Sequence, residues 1–312
     1  MQRIVLWALM LTLSTAAFAA PNKALVKVAA ACFRSQPAHS AELETQATYG
    51  TPLQIIEQRG QWSKVEMPDG YKAWVTNSSI TPCSNEQFHK WQHAKRLIVT
   101  YPYATVAYAD SLCQSPANAA FDTVLGAIFE GSITPGASFV KLTTPDGRHG
   151  FVPKDNVSDF EEWSKRPHNI NTILETAASM CGISYLWGGT TTKALDCSGF
   201  TKVCYGAAGL ILLRNASQQA DSGLKLNENN TNDFKPGDLL FFGNDNGRIT
   251  HVALYEGNDV YIHSSGRVHR SSHLPGHKLY LSRRVIAACR ILGVENPRGV
   301  VAYKNHTWYF SK

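Results

Sequence analysis

Apolar and polar positions alternate with period two along two separate stretches of the chain, and the two stretches match. Trp62-Ser63-Lys64-Val65 leads through Pro68-Asp69-Gly70 to Tyr71-Lys72-Ala73-Trp74-Val75. Offset by 77 residues (139 minus 62), Phe139-Val140-Lys141-Leu142 leads through Pro145-Asp146-Gly147 to Arg148-His149-Gly150-Phe151-Val152. In Pro-Asp-Gly the proline fixes φ, the aspartate bonds its own backbone and the glycine accepts positive φ, so the tripeptide turns the chain. Each copy therefore predicts a β-hairpin. Gly50 and Gly126 precede the hairpins at nearly the same offset. Two copies of an all-β unit of about 60 residues are too few for a solenoid and fit two small barrels instead. Copy one is expected near 24–83 and copy two near 97–158, with Glu161-Glu162-Trp163 to Pro167 as a linker.

From Asn169 the period changes. Ile173, Leu174, Ala177, Ala178 and Cys181 recur at helical spacing, and Gly182 is a helix stop. A Gly- and Thr-rich loop (187–192) follows, then a second expected helix over 198–206 with Phe200, Val203 and Cys204 on one side. Four apolar strand-like runs come after it: 238–242, 251–255, 259–263 and 285–291. Helices first and an antiparallel meander afterwards is an α+β pattern.

Composition sets limits on this picture. With 312 residues, 44% hydrophobic and 17% charged, the chain has room for two or three domains and can bury a core, which argues against disorder. The net charge of +6 is spread out, and no Lys/Arg block is dense enough for nucleic acid. Residues 1–20 read as a signal peptide: Met1-Gln2-Arg3 is basic, Ile4 to Phe18 is apolar, and Ala17-Phe18-Ala19 is a small-x-small cleavage site. That run is too short to span a bilayer comfortably and no other stretch approaches 18 apolar residues, so no membrane span is expected. The mature protein is expected to be exported, to the periplasm or the medium. Seven cysteines are an odd number: one catalytic thiol would leave six, of which Cys32 and Cys83, bracketing one compact segment, make the candidate disulfide.

A cysteine nucleophile needs a base to take its proton and a group to orient that base. Cys197, in Asp196-Cys197-Ser198-Gly199-Phe200, stands at an expected helix start with Asp196 as N-cap. There the helix dipole and free N–H groups favour a thiolate and could hold an oxyanion. His251 opens one strand-like run and His263 closes the next, across the short turn Glu256-Gly257-Asn258. In such a hairpin the two histidines would lie side by side as base and orienter. His263, His269, His273 and His277 form a loose cluster, but the segment lacks a helical pattern and reads as a solvated loop rather than a metal site. No metal and no cofactor are expected, and no phosphate-binding glycine motif occurs.

These residues resemble a known family. Tyr185-Leu186-Trp187-Gly188-Gly189, Asp196-Cys197-Ser198-Gly199-Phe200, Pro236-Gly237-Asp238-Leu239-Leu240-Phe241-Phe242, His251-Val252-Ala253-Leu254-Tyr255 and Ile262-His263-Ser264 resemble, in order, the motifs of the NlpC/P60 cell-wall peptidases. The resemblance covers 165–295, leaving 296–312 as a tail. It implies a papain-like α+β catalytic domain with Cys197 as nucleophile, His251 as base, His263 as third polar member and Tyr185 at the oxyanion site. The repeated hairpins resemble bacterial SH3-like domains, although Ala73, Arg148 and Phe151 depart from that pattern. Two SH3-like barrels before such a domain resemble the γ-D-glutamyl-L-diamino acid endopeptidases of dipeptidyl-peptidase VI type. That resemblance implies murein peptides of the form L-Ala-γ-D-Glu-diamino acid as substrate, with peptidoglycan as their source. Asp196 and Glu42 are then the candidate carboxylates for the free amine, with Glu44 as substitute for Glu42. Tyr71 is the candidate hydroxyl, and Ser198 and Ser217 are candidates for the D-Glu α-carboxylate. The alternatives are an amidase or endopeptidase acting on intact peptidoglycan, and a catalytically inert wall-binding protein.

Overall fold

The computed structural model describes residues 22–112, 116–244 and 246–311; the expected leader over 1–20 lies outside them. The first seven strands are β1 (Lys23–Val26), β2 (Ala31–Arg34), β3 (Leu43–Ala47), β4 (Pro52–Arg59), β5 (Trp62–Glu66), β6 (Lys72–Thr76) and β7 (Ile80–Cys83). They form one antiparallel sheet in the order β3-β2-β6-β5-β4-β1-β7. Its core is Phe33, Leu53, Val65, Val75 and Ile80, the inward positions of alternating strands. The hairpin expected from Pro68-Asp69-Gly70 joins β5 to β6 in the register Trp62↔Thr76 to Glu66↔Lys72.

After α1 (Asn85–His93) come β8 (Arg96–Val99), β9 (Tyr103–Ala107), β10 (Ala119–Val124), β11 (Ile128–Glu130), β12 (Phe139–Thr143), β13 (His149–Pro153) and β14 (Val157–Asp159). Their order, β10-β9-β13-β12-β11-β8-β14, repeats that of the first sheet strand for strand. The sequence repeat is thus a repeat of topology.

Helices and a second kind of sheet follow: α2 (Phe160–Lys165), α3 (Ile170–Ser179), β15 (Thr190–Thr191), β16 (Ala194–Leu195), α4 (Cys197–Ala207), β17 (Leu210–Leu212) and α5 (Ala216–Ala220). The chain continues with β18 (Leu224–Leu226), β19 (Leu239–Gly243), β20 (Ile249–Gly257), β21 (Val260–Ser265), β22 (Arg267–Ser272), β23 (Val285–Arg290) and β24 (Val300–Ala302). The six-stranded sheet runs β18-β23-β19-β20-β21-β22. Phe200 and Cys204 of α4 and Ile173 and Ala177 of α3 pack on one face, with Leu239, Phe241, Val252, Leu254 and Ile262. Leu240, Phe242, Ala253, Tyr255 and Tyr261 fill the other. Burial on both faces explains why β19 is apolar throughout rather than alternating.

Three expectations are corrected and one element is added. Residues 161–167 are not a bare linker, because Phe160–Lys165 forms a helix whose N-cap Asp159 accepts from the Glu162 N–H. Segment 84–93, given no structure above, is a helix opened by a reciprocal capping box of Ser84 and Gln87. The histidine-rich stretch is not a solvated loop over 267–272 but strand β22, pairing His263 with His269. Cys32 and Cys83 are both free. They sit on β2 and β7 with β6, β5, β4 and β1 between them, and each thiol has another partner: Gln46 Nε2 donates to Cys32 (3.7 Å), and Cys83 donates to the Thr81 carbonyl (3.8 Å). Among the described residues no helix is long and apolar enough to cross a membrane.

The tail of the chain locks the units together. β24 pairs with β17, and Tyr303, Trp308, Tyr309 and Phe310 enter a cluster drawn from every unit: Leu25 and Cys83, Phe88 and Trp91, Ile98 and Ile128, Phe160 and Trp163, and Ile211. Buried Arg96 lies over the rings of Trp91 (4.6 Å), Phe160 (5.0 Å) and Phe310 (5.1 Å). Because Tyr309 is buried in this cluster against Phe160 and Tyr303, Tyr309→Ala should destabilise by about 3–5 kcal/mol, the usual cost of deleting a buried aromatic. Thermal or denaturant unfolding would measure it, and an unchanged midpoint would refute the locking role.

Candidate active site

Asp196 accepts from the Gly199 N–H (2.7 Å) and so caps α4, which makes Cys197 the first helical residue. The Cys197 thiol is buried, and the N–H groups of Ser198 and Val252 point at it. Val252 follows His251 on β20, and Tyr185, which lies within reach of the Cys197 charge, lines one cavity with His251. The helix start was expected to favour a thiolate. Instead burial first, and the Asp196 charge second, raise the thiol to about 11, outweighing the two N–H groups and Arg214. Tyr185 is pushed to about 12, first by burial and then by the neighbouring Cys197 and Asp196, which puts its hydroxyl close to the nucleophile.

The two histidines meet. His251 Nε2 lies 2.7 Å from His263 Nδ1, and His263 Nε2 lies 3.1 Å from Ser271 Oγ. The β20–β21 register Leu254↔Ile262 sets His263 across from Ala253, so the rings meet diagonally rather than side by side. With Nε2 of His251 committed to His263, Nδ1 is the nitrogen left for the Cys197 proton. That tautomer has its hydrogen on Nε2, donated to His263 Nδ1, and His263 then donates from Nε2 to Ser271. Burial lowers His251 to about 4, and Arg283 and His269 add to the shift. Burial, then His251, lowers His263 to about 2. The resting site is therefore a neutral thiol beside neutral imidazoles.

The first barrel forms one wall of the site. Edge strand β3 lies along residues 188–191: the Gln46 N–H donates to Thr190 Oγ1 (2.9 Å), which donates to the Gln46 carbonyl (2.7 Å). Gly188 makes the approach possible; it has φ +80°, and a Cβ there would fall 2.4 Å from the Leu43 carbonyl oxygen. At this point the β2–β3 register jumps from Phe33↔Thr45 to Arg34↔Leu43, leaving Glu44 as the extra residue of a bulge. A bulge re-aims its side chain, and Glu44 accepts from the Tyr71 hydroxyl. Burial and Glu44 together raise Tyr71 to about 12.

Arg214 joins the two sides. Its fork donates to Asp196 through both Nη atoms and to Ser198 Oγ (2.8 Å), and its Nε donates to the Glu44 carbonyl (3.0 Å). Arg214 and Asp196 are both almost wholly buried. The structure thus gathers Cys197, Tyr185, Asp196, Ser198 and Tyr71 around Arg214, joins His251 to His263, and puts Tyr185 and His251 in one cavity. Glu42 is exposed, its carbonyl accepting from the Ser35 N–H, and Ser217 is exposed on α5. Glu44 is the carboxylate that Tyr71 meets. Sequence reading missed Arg214 and Ser271. Neither has a local signal, because each acts through a partner brought near by long-range folding. Among the described residues no group of three or more His, Cys, Asp or Glu is placed to hold a metal.

Residues 182–290 match the NlpC/P60 family, and residues 33–80 match the bacterial dipeptidyl-peptidase Sh3 domain. Over 234 residues the chain is 27% identical to the gamma-D-glutamyl-L-lysine dipeptidyl-peptidase of Bacillus cereus, spanning 72% of this chain and 67% of that one. Over 232 residues it is 28% identical to the protein of the same name from Bacillus subtilis, spanning 71% and 72%. Its fold resembles that of a solved NlpC/P60 family protein from Bacillus cereus, with TM-score 0.73 at 22% identity over 86% of this chain and 99% of that one. The matched residues give the chain an NlpC/P60 domain, the domain of a family of cysteine peptidases. The chain carries that family's catalytic domain behind an all-β SH3 domain.

The neutral resting pair fixes the pH dependence. The acid limb of kcat/KM should fall well below the ordinary histidine value of 6.5, toward about 4, because His251 is held down by burial. Stability follows the same sign: an unfolded histidine binds a proton below 6.5 and a buried one does not, so stability should decline from about pH 6.5 toward about pH 4. A pH–rate profile with its acid limb at 6.5 or above would contradict this electrostatic picture.

Proposed function

We propose that this peptidase hydrolyses the γ-D-Glu–L-diamino acid bond of murein peptides whose N-terminal L-Ala is free, outside the cytoplasm. The observation that carries the proposal is the barrel wall: Glu44, with Tyr71 donating to it, stands beyond Asp196 and Arg214 at one side of the nucleophile. Because Asp196 is neutralised by Arg214, Glu44 is the carboxylate left to meet an ammonium. Closing that side with a folded domain limits the chain on the acyl side to a short peptide with a charged end. The names of the relatives agree with this chemistry, and the leader pattern over 1–20 supports export.

The chemistry follows from the row of groups. As Cys197 sulfur attacks the γ-carbonyl carbon, its proton passes to His251 Nδ1, and the imidazolium formed is stabilised by His263 and, behind it, Ser271. The Tyr185 hydroxyl and the first N–H groups of α4 take the oxyanion. Collapse breaks the C–N bond, and His251 gives its proton to the leaving amine of the diamino acid. Water, deprotonated by His251, then cleaves the thioester, releasing L-Ala-D-Glu and restoring the thiol.

Cys197→Ala should abolish hydrolysis of L-Ala-γ-D-Glu-L-Lys with an unchanged melting curve. Glu44→Gln should lower kcat/KM on this peptide by roughly one to two decades, the worth of a charge-assisted hydrogen bond of about 1.5–3 kcal/mol, mostly through KM. The N-acetylated tripeptide, a poor substrate from the start, should lose far less. Equal losses on both peptides, or none on either, would remove Glu44 as the partner of the amine, and free turnover of the acetylated peptide by the wild type would favour an endopeptidase of intact wall.

A further inference from the structure

His251 must hand its proton to the departing amine, so the residue that leaves lies on the His251 side of the nucleophile. On that side is a cavity of about 450 Å³, lined among others by Tyr185, Phe242, Asn244, Thr250, His251 and Arg283. None of the residues on the barrel side (Glu44, Tyr71, Asp196, Arg214) lines it. Nothing in the chemistry derived so far uses Arg283.

We propose that Arg283 is the specificity residue of a leaving-side subsite that holds the diamino acid by a free carboxylate. The inference rests on the substrate reading above and extends it to the other half of the scissile bond.

Three observations carry it. Arg283 is exposed, and among the described residues no carboxylate pairs with it, although it lines the same cavity as His251. Among the described residues the lining holds no carboxylate to oppose the guanidinium. After burial, Arg283 is the next cause lowering His251, so this charge reaches the catalytic row. Asn244 adds an amide to the lining: its Oδ1 accepts from the Asn246 and Arg248 N–H groups (3.2 and 3.0 Å), so its N–H₂ is the end left to donate. An arginine fork and an amide N–H₂ fit the two oxygens of a carboxylate.

Two carboxylates on the leaving residue offer this chemistry: the α-carboxylate at the end of a tripeptide, and the distal carboxylate of diaminopimelate. Four substrates separate them: L-Ala-γ-D-Glu followed by lysine, lysine α-amide, diaminopimelate or diaminopimelate α-amide. Each is assayed with the wild type, Arg283→Ala and Arg283→Lys, with melting curves run alongside. Arg283→Ala should lower kcat/KM about ten- to a hundredfold, through KM, on peptides whose leaving residue keeps the recognised carboxylate. It should leave the lysine α-amide, which has neither carboxylate, within about twofold of wild type. Arg283→Lys should recover part of the loss. A loss on lysine with none on diaminopimelate α-amide assigns the α-carboxylate, and the converse assigns the distal one. Equal effects on all four peptides, or no effect on any, overturn the subsite while leaving the substrate reading intact. A wild type that cleaves none of the four overturns that reading and the subsite with it.

Discussion

The buried guanidinium of Arg214 is the contact on which the rest of the site depends. It pairs with the carboxylate that caps the nucleophile's helix, donates to the serine after the nucleophile, and holds the backbone of the barrel residue Glu44. A buried arginine without a partner is costly, and so is a buried carboxylate. The pair therefore forms only when β3 of the first barrel and the start of α4 are both in place, so the helix that presents Cys197 and the wall that meets the substrate's amine are set by one ion pair. The Gly188 approach and the Thr190–Gln46 bonds keep that register.

On the other side of the thiol the controlling quantity is dryness. His251, His263 and Ser271 sit in line on three neighbouring strands, β20, β21 and β22, and burial keeps both rings neutral. A neutral imidazole with its Nε2 proton directed at His263 is ready to accept a proton at Nδ1, and the row behind it stabilises the charge that results. The site therefore needs no thiolate at rest: charge is created as substrate binds and the attack begins. The two halves of the cleft carry opposite character, a carboxylate wall on the acyl side and the Arg283 cation on the leaving side. That polarity matches a peptide with an ammonium at one end and carboxylates at the other.

Much of this was legible in the sequence. The duplicated Pro-Asp-Gly hairpin carried the barrel repeat, and the strand order shows that the repeat extends through both sheets. Cys197 at a helix start and two histidines on one hairpin were readable because local spacing sets them. The failures have physical causes. The family resemblance put Glu42 before Glu44, and a bulge, invisible to a period-two reading, is what joins Glu44 to Tyr71. Cysteine counting paired Cys32 with Cys83, whereas the strand order separates them. The capping box at Ser84 was a local signal for α1 that went unused, while Arg214, Ser271 and the tail act through contacts between distant segments.

The account turns on the claim that Arg214 couples the nucleophile's helix to an amine-reading wall on the first barrel. The most direct measurement is the ratio of kcat/KM for free-amine over N-acetylated L-Ala-γ-D-Glu-L-Lys in Arg214→Lys, which keeps the charge and loses the fork. The ratio is insensitive to a general loss of activity, since such a loss divides both terms. If the fork holds Glu44 against the cleft, the ratio should collapse by about tenfold or more relative to the wild type. A ratio equal to that of the wild type, in a variant that still folds, would contradict the coupling.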